Sequence, residues 1–232
     1  MPEVSIVIPV YKASLSPSEA KSLAQCLEVL GGHPIRLIAP TGLDTSAYDR
    51  CAGRPLPIEY FDAAYFRSVS GYSKLLLSKA FYQRFKAYEY ILIYQLDAWV
   101  FSDTLLSWCR RSYDYIGAPW LEAPPAPAGT PALLNLSKRL KNKVGNGGLS
   151  LRRVRAHMRW APWVSFIFKF IPKNEDLLWT LFVPFKKPTA PEALRFAFEL
   201  NPAHSYQLNQ EQLPFGCHAW EKYDAGFWKK FI

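Results

Sequence analysis

Four short segments carry residues whose types and spacing could do chemistry. The first is Tyr94-Gln95-Leu96-Asp97-Ala98-Trp99, where an acid falls at the end of a very hydrophobic run. A lone buried carboxylate is costly, so such a residue is exposed at the strand end, paired, or bound to a cation. A hard divalent cation bridging a diphosphate takes one or two carboxylates and fills its other positions with phosphate and water. An Asp that ends a strand and caps the next turn explains the residue equally well. The second segment, Val144 to Arg152, places Gly147 and Gly148 before an alternating stretch. Adjacent glycines let a backbone approach a ligand closely, or simply form a bulge or tight turn. The segment is neither a Walker loop nor GxGxxG. The third is Lys173-Asn174-Glu175-Asp176. Asn174 is a good N-cap, and Glu175 and Asp176 then complement the helix dipole at N1 and N2. A carboxylate held there could also take a proton from a hydroxyl nucleophile. The fourth is Pro214 to Trp220, whose His218 is either a packing residue or a metal ligand through a neutral imidazole nitrogen.

The elements around these segments read as an α/β chain. Val4 to Val10 is a nearly continuous β-branched run, as a buried parallel strand requires. Ser16, Pro17 and Glu19 form a helix start, and Gly31-Gly32 a stop. Pro34–Pro40 and Leu56–Phe61 read as strands, Tyr72–Phe85 as a helix, and Tyr90–Leu96 as the strongest strand. Thr104–Arg111 reads as a short helix and Tyr113–Gly117 as a strand. Strands alternating with helices predict a mostly parallel sheet with ligands off the strands' carboxyl ends. That draws attention to Pro9–Lys12, Gln95–Trp99 and Gly117–Trp120. The Pro-rich stretch 121–143 reads as a loop or lid within one domain.

Composition narrows the partners. The 232 residues are 50% hydrophobic and 20% charged, enough to bury a core and to exclude global disorder. The net charge is +9, and nearly all the excess lies beyond residue 100. Between Lys138 and Arg159 stand eight basic residues and no acid, an electrostatic footprint for an anion. Four scattered cysteines without a CxxC pair point to a reducing compartment. No stretch reaches the roughly 18 apolar residues of a membrane span, and the apolar start lacks a signal peptide's basic flank. The expected location is therefore the cytoplasm. Residues 152–173 interleave Arg and Lys with Trp160, Trp163, Phe166, Phe168 and Phe170. They read either as contact with an anionic membrane, on the inner face of the cytoplasmic membrane, or as an aromatic core segment beside a solvated basic helix. No nucleic-acid-binding module is present.

In order and company, VSIVIPVY, Gly71–Leu77, a strand ending in Asp, GNGG, NED and a late His closely resemble glycosyltransferases of the GT-A fold. The likeness runs from about residue 4 to 220, and the YxLDAWVFxD, DYIGAPW and GNGGLSLR blocks are similar to those of bacterial and fungal glycosyltransferase-like proteins. The resemblance implies a single GT-A-like domain with a nucleotide-binding part over about 1–120 and an acceptor-side part over about 144–232. It implies transfer of a sugar from a UDP- or GDP-linked donor to a hydroxyl of a glycan or lipid-linked acceptor, with inversion, as in bacterial polysaccharide or glycolipid synthesis. Pro9, Val10 and Tyr11 would receive the nucleobase. Lys74 and Gln95 would contact the donor. Asp97 and His218 would hold Mn2+ or Mg2+, with Gln95 standing where the family has its first acid. Asn146, Gly147 and Gly148 would line the space between donor sugar and acceptor. Asp176 would be the base and Glu175 would orient the acceptor, or the reverse. Two other readings stay open. One is a non-catalytic nucleotide- or glycan-binding relative, given Gln95. The other is a sugar nucleotidyltransferase, against which the Gly-free loop after the first strand counts.

Overall fold

The computed structural model describes residues 3–122, 137–171 and 174–232. Its first half lays down β1 (Val4–Pro9), α1 (Pro17–Leu30), β2 (Ile35–Pro40), α2 (Ser46–Ala52), β3 (Ile58–Phe61), α3 (Val69–Leu77), α4 (Lys79–Arg84), β4 (Tyr90–Tyr94), β5 (Ala98–Val100) and α5 (Leu105–Arg110). There follow β6 (Tyr115–Ile116), β7 (Pro119–Trp120), β8 (Lys143–Val144), β9 (Leu149–Arg153), α6 (Val154–Phe168), α7 (Glu175–Phe182), α8 (Ala190–Leu194), β10 (Ala197–Phe198), α9 (Pro202–Leu208), β11 (Gly216–His218) and α10 (Ala225–Trp228).

The main sheet runs β3-β2-β1-β4-β9-β6. Its first four strands are parallel and β9 is antiparallel to β4. The mostly parallel α/β sheet expected from the sequence is therefore present. Alternate residues of each buried strand feed two cores. Ile6, Ile8, Leu37 and Leu92 face α1 and α2, while Val7, Ile38, Ile91 and Ile93 face α3, α4, α6 and α7. Burying each such side chain contributes roughly 1.5–3 kcal/mol. A second sheet, β10-β11-β5, packs behind the end of β4 with Trp99, Phe198 and Trp228 in its own core.

The expected helix start at Ser16 forms a reciprocal cap. Ser16 Oγ accepts from the Glu19 N–H at 3.2 Å, and the Ser16 N–H donates to the Glu19 carboxylate at 2.7 Å. The helix expected over Tyr72–Phe85 is two helices broken at Ser78. Ser78 Oγ donates to Leu75 O and accepts from the Phe81 N–H, so its hydroxyl ends one helix and starts the next. The strand expected to reach Leu96 stops at Tyr94, and the one expected over Tyr113–Gly117 covers only Tyr115–Ile116. Most of the Pro-rich stretch read as a lid, 123–136, lies outside the described residues.

Candidate functional site

Topology gathers the four segments at one place. The carboxyl end of β4 delivers Gln95 and Asp97. Because β9 is antiparallel to β4, its start rather than its end reaches that edge. Leu149 pairs with Tyr94, and the Gln95 N–H donates to Gly148 O at 3.0 Å. Pairing of β11 with β5 sets His218 opposite Ala98, one residue from Asp97. Pairing of β10 with β11 sets Phe198 opposite Cys217, which carries the next residue, Glu199, to His218. The loop after β1 and the first turn of α7 close the ring. The result is a cleft of about 1180 Å³ at the carboxyl edge of the sheet.

Pro9, Val10 and Tyr11 line one end of it, and Gln95, Asp97, Asn146, Gly147, Gly148, Glu175, Asp176 and His218 line the rest. The Tyr11 ring is 61% exposed at the rim. Lys74 is the exception among the residues expected here. It is exposed on α3 and does not line the cleft, whereas Tyr72 and Ser73 of the same helix do. Helical geometry allows only one side of α3 to face inward.

His218 sits between two carboxylates. Its Nε2 lies 3.1 Å from Asp97 Oδ1 and 3.1 Å from Gln95 Oε1, and its Nδ1 lies 3.1 Å from Glu199 Oε2. Burial opposes charge on the ring, but Glu199 and Asp97 outweigh it and hold the imidazolium up to about 10. Burial likewise opposes the charge of Asp97, and the His218 contact still keeps its carboxyl below the ordinary value. The two carboxylates thus favour positive charge at this point of the pocket. Among the described residues no group of three or more His, Cys, Asp and Glu is arranged around a metal. The donors present nevertheless fit a divalent cation. Asp97 Oδ1, Gln95 Oε1 and His218 Nε2 face one another, and the carboxylate at Nδ1 is the usual orienting partner of a ligating imidazole. His218 Nδ1 and Glu199 Oε2 are both buried and face each other without a well-aligned hydrogen bond. Lys222, at the same rim, adds a cation near Asp97 and Glu199.

On the other side of the glycines, Arg152 is wholly buried. Its Nη2 donates to Glu175 Oε1 at 2.8 Å, its Nε to Ser150 Oγ at 3.0 Å, and its Nη1 to Tyr82 OH at 3.2 Å. The expectation that the whole Lys138–Arg159 block presents charge to an anion is therefore corrected at two positions. Arg152 is spent on Glu175, and Arg153 pairs with Glu89 and Asp114. Glu175 and Asp176 do begin α7, but the Asn174 side chain makes no cap bond. The Leu177 N–H instead donates to Asp176 Oδ1 at 2.7 Å. Desolvation, with Glu175 and Glu199 nearby, pushes the Asp176 carboxyl up to about 7. Of the two adjacent acids, one is tied to a guanidinium and the other is poised to exchange a proton near neutrality.

The glycines are required by contact. A Cβ on Gly147 would stand 2.7 Å from Glu175 Oε1, and one on Gly148 would fall inside the His218 ring. Replacing Gly148 by Ala should therefore displace the imidazole while leaving the β4–β9 ladder paired. Overpacking of this kind costs about 1–3 kcal/mol. Urea unfolding should show that loss, and the His218 ring resonances should shift. An unmoved ring would show that the two residues are not in contact.

Sequence reading missed Glu199, Lys222 and the Arg152–Glu175 pair. Glu199 did leave a signal, an acid closing the apolar run Phe196-Ala197-Phe198, as Asp97 closes β4. Lys222 and the ion pair left none, because partners 23 residues apart in sequence meet only through the sheet.

A family model described as protein of unknown function, DUF5672, matches residues 55–218. No curated protein matches the chain in sequence. Among solved structures, the bifunctional glycosyltransferase WbbM is similar at a TM-score of 0.61 and 14% identity, over 94% of this chain. The chain spans only 45% of WbbM. The galactosyltransferase LgtC, in complex with donor and acceptor sugar analogues, is similar at a TM-score of 0.56 and 15% identity, over 92% of this chain and 86% of its own. Core-mannan synthase A from Aspergillus fumigatus, in a Mn/GDP form, is similar at 0.54 and 9%, over 81% and 72%. At these identities the likeness is one of fold, and the fold is that of GT-A glycosyltransferases.

Proposed function

The chain belongs to the DUF5672 family, and on that premise and the geometry of its cleft we propose that it is a GT-A glycosyltransferase. It would move a sugar from a UDP- or GDP-linked donor to a hydroxyl of a glycan or lipid-linked acceptor, with inversion. The observation that carries the reading is the convergence of Asp97, His218 and Asp176 around Gly147 and Gly148 in one cleft. The part over about 1–120 binds the nucleotide, and the part over about 144–232 receives the acceptor.

In this reading the exposed Tyr11 ring and the Pro9–Val10 backbone take the nucleobase. Lys222 faces the diphosphate. The side-chain-free surface of Gly147 and Gly148 lets the sugar lie against the backbone, between the diphosphate site and Asp176. Asp176 accepts the acceptor's hydroxyl proton as the oxygen attacks the anomeric carbon, for which a pKa near the working pH is the best match. Beside the acceptor contact expected of it, Glu175 has a second task. Its charge is held by Arg152, so it fixes the first turn of α7 and raises the proton affinity of Asp176. A divalent cation held by Asp97 and His218, beside Gln95, would neutralise charge on the leaving diphosphate.

Isothermal titration with UDP and with GDP tests this. Binding is expected to strengthen when Mn2+ is present and to lose that dependence in Asp97→Ala. Glu199→Gln should weaken Mn2+ binding on the order of 10–100-fold while the chain stays folded. Metal-independent binding with no hydrolysis of any nucleotide sugar, unchanged in Asp176→Asn, would favour the second reading, a non-catalytic relative. Gln95 in place of an acid is the feature that keeps that reading in view.

A further inference from the structure

The solvent face of α6 is a surface that the cleft does not explain. A helix turns about 100° per residue, which places Arg155, Arg159, Trp163 and Phe166, with Lys169 and Phe170 of the turn that continues α6, within one arc of about 120°. All six are exposed. Trp163 and Phe166 are each 51% accessible and Phe170 is 70% accessible. The opposite arc, with His157, Ala161, Val164 and Phe168, is buried against the rest of the fold. The Trp163 and Phe166 rings stack at 6.4 Å, and Phe166 meets Phe170 edge-on at 5.2 Å, so the aromatics form one contiguous patch. α6 contains no Asp or Glu. Among the described residues no carboxylate forms an ion pair with Arg155, Arg159 or Lys169.

Contiguous exposed aromatics of this size mark an interaction surface. Charge decides the partner. A second copy of this chain would bring the same basic stripe and a like net charge of +9. Aromatic rings beside cations on one face of an otherwise buried helix match an anionic bilayer interface, where rings enter the acyl boundary and cations meet phosphates. We propose that this face of α6 docks on an anionic phospholipid bilayer, with Trp163, Phe166 and Phe170 inserted and Arg155, Arg159 and Lys169 on the headgroups. The inference stands whether or not the cleft transfers sugar.

Co-sedimentation of the full chain with vesicles tests it. Vesicles of equal parts phosphatidylglycerol and phosphatidylcholine should bind at least about tenfold more protein than pure phosphatidylcholine, and added salt should narrow the difference. The triple variant Trp163→Ser, Phe166→Ser, Phe170→Ser should lose at least about tenfold of that binding. Its circular dichroism should not change, because all three side chains are exposed. Three outcomes overturn the proposal. They are wild type that stays in the supernatant with anionic vesicles, wild type that binds both vesicle types alike, and a triple variant that binds as the wild type does. Gel filtration showing a dimer that the triple variant dissolves, without vesicle binding, would assign the face to a second copy. Retention on immobilised polyglutamate without vesicle binding would assign it to an acidic protein.

Discussion

Replacing Asp176 by Asn is expected to lower sugar transfer by about 10²–10⁴-fold, the range lost with a general base. The isosteric amide keeps the oxygen that accepts from the Leu177 N–H, so the first turn of α7 should stay intact. In the wild type, activity should fall as pH drops through about 7, where Asp176 takes up its proton. The Asn variant should lack that limb. Stability should move the other way. The folded carboxyl holds its proton up to about 7, well above its ordinary value of 3.8. Between those values the native state binds a proton that the unfolded chain has released, so stability falls as pH rises across the window. Above 7 the charged, desolvated Asp176 destabilises the fold in full, and Asn relieves it. The variant should melt higher at pH 8, with each kcal/mol gained raising the Tm of a chain this size by about 2–4 °C. The advantage should vanish below pH 4. A wild-type rate that is flat through pH 7, or equal melting of both proteins at pH 8, would remove Asp176 from this role.

Arg152→Met should be the most destabilising single change in the cleft wall. Among the described residues the guanidinium is the cation paired with Glu175, and it also satisfies Ser150 Oγ and Tyr82 OH in a buried pocket. Removing one member of a buried ion pair costs about 3–5 kcal/mol. A domain has only about 5–15 kcal/mol in all. Arg152→Lys should recover little, because a single ammonium cannot reach three diverging acceptors. The double variant Arg152→Met, Glu175→Leu should regain most of the loss, since an apolar pair of similar volume leaves no charge stranded. Urea midpoints measure all three. If Arg152→Met kept its midpoint and lost only nucleotide binding, Arg152 would be a ligand-binding residue and not the anchor of Glu175.

The outcome at Arg152 shows how sequence and structure divide the information. In the chain it is one of eight cations in an acid-free run, indistinguishable from its neighbours. Its burial follows from register alone. Arg152 stands opposite Ile91 in the β4–β9 ladder and opposite Tyr115 in the β6–β9 ladder, and its alternate position points it under the glycines toward α7. Lys74 makes the reverse point. The resemblance placed it at the donor, but its side of α3 is exposed while Tyr72 and Ser73 line the cleft.

What the sequence determined by itself is local. β-branched runs made β1, β2 and β4 buried parallel strands, Ser16 and Glu19 set the start of α1, and an acid after an apolar strand marked Asp97 as exposed or liganded. The order of motifs then predicted the GT-A fold that the structure has. Only the tertiary structure decided which acid is free. Glu175 and Asp176 are adjacent, of one chemical type, and both at a helix start. Nothing within the segment distinguishes them. The antiparallel return of β9 brings a guanidinium into an ion pair with one and leaves the other desolvated, with no ion pair among the described residues. Long-range pairing, which no local pattern encodes, separates a structural carboxylate from a candidate base.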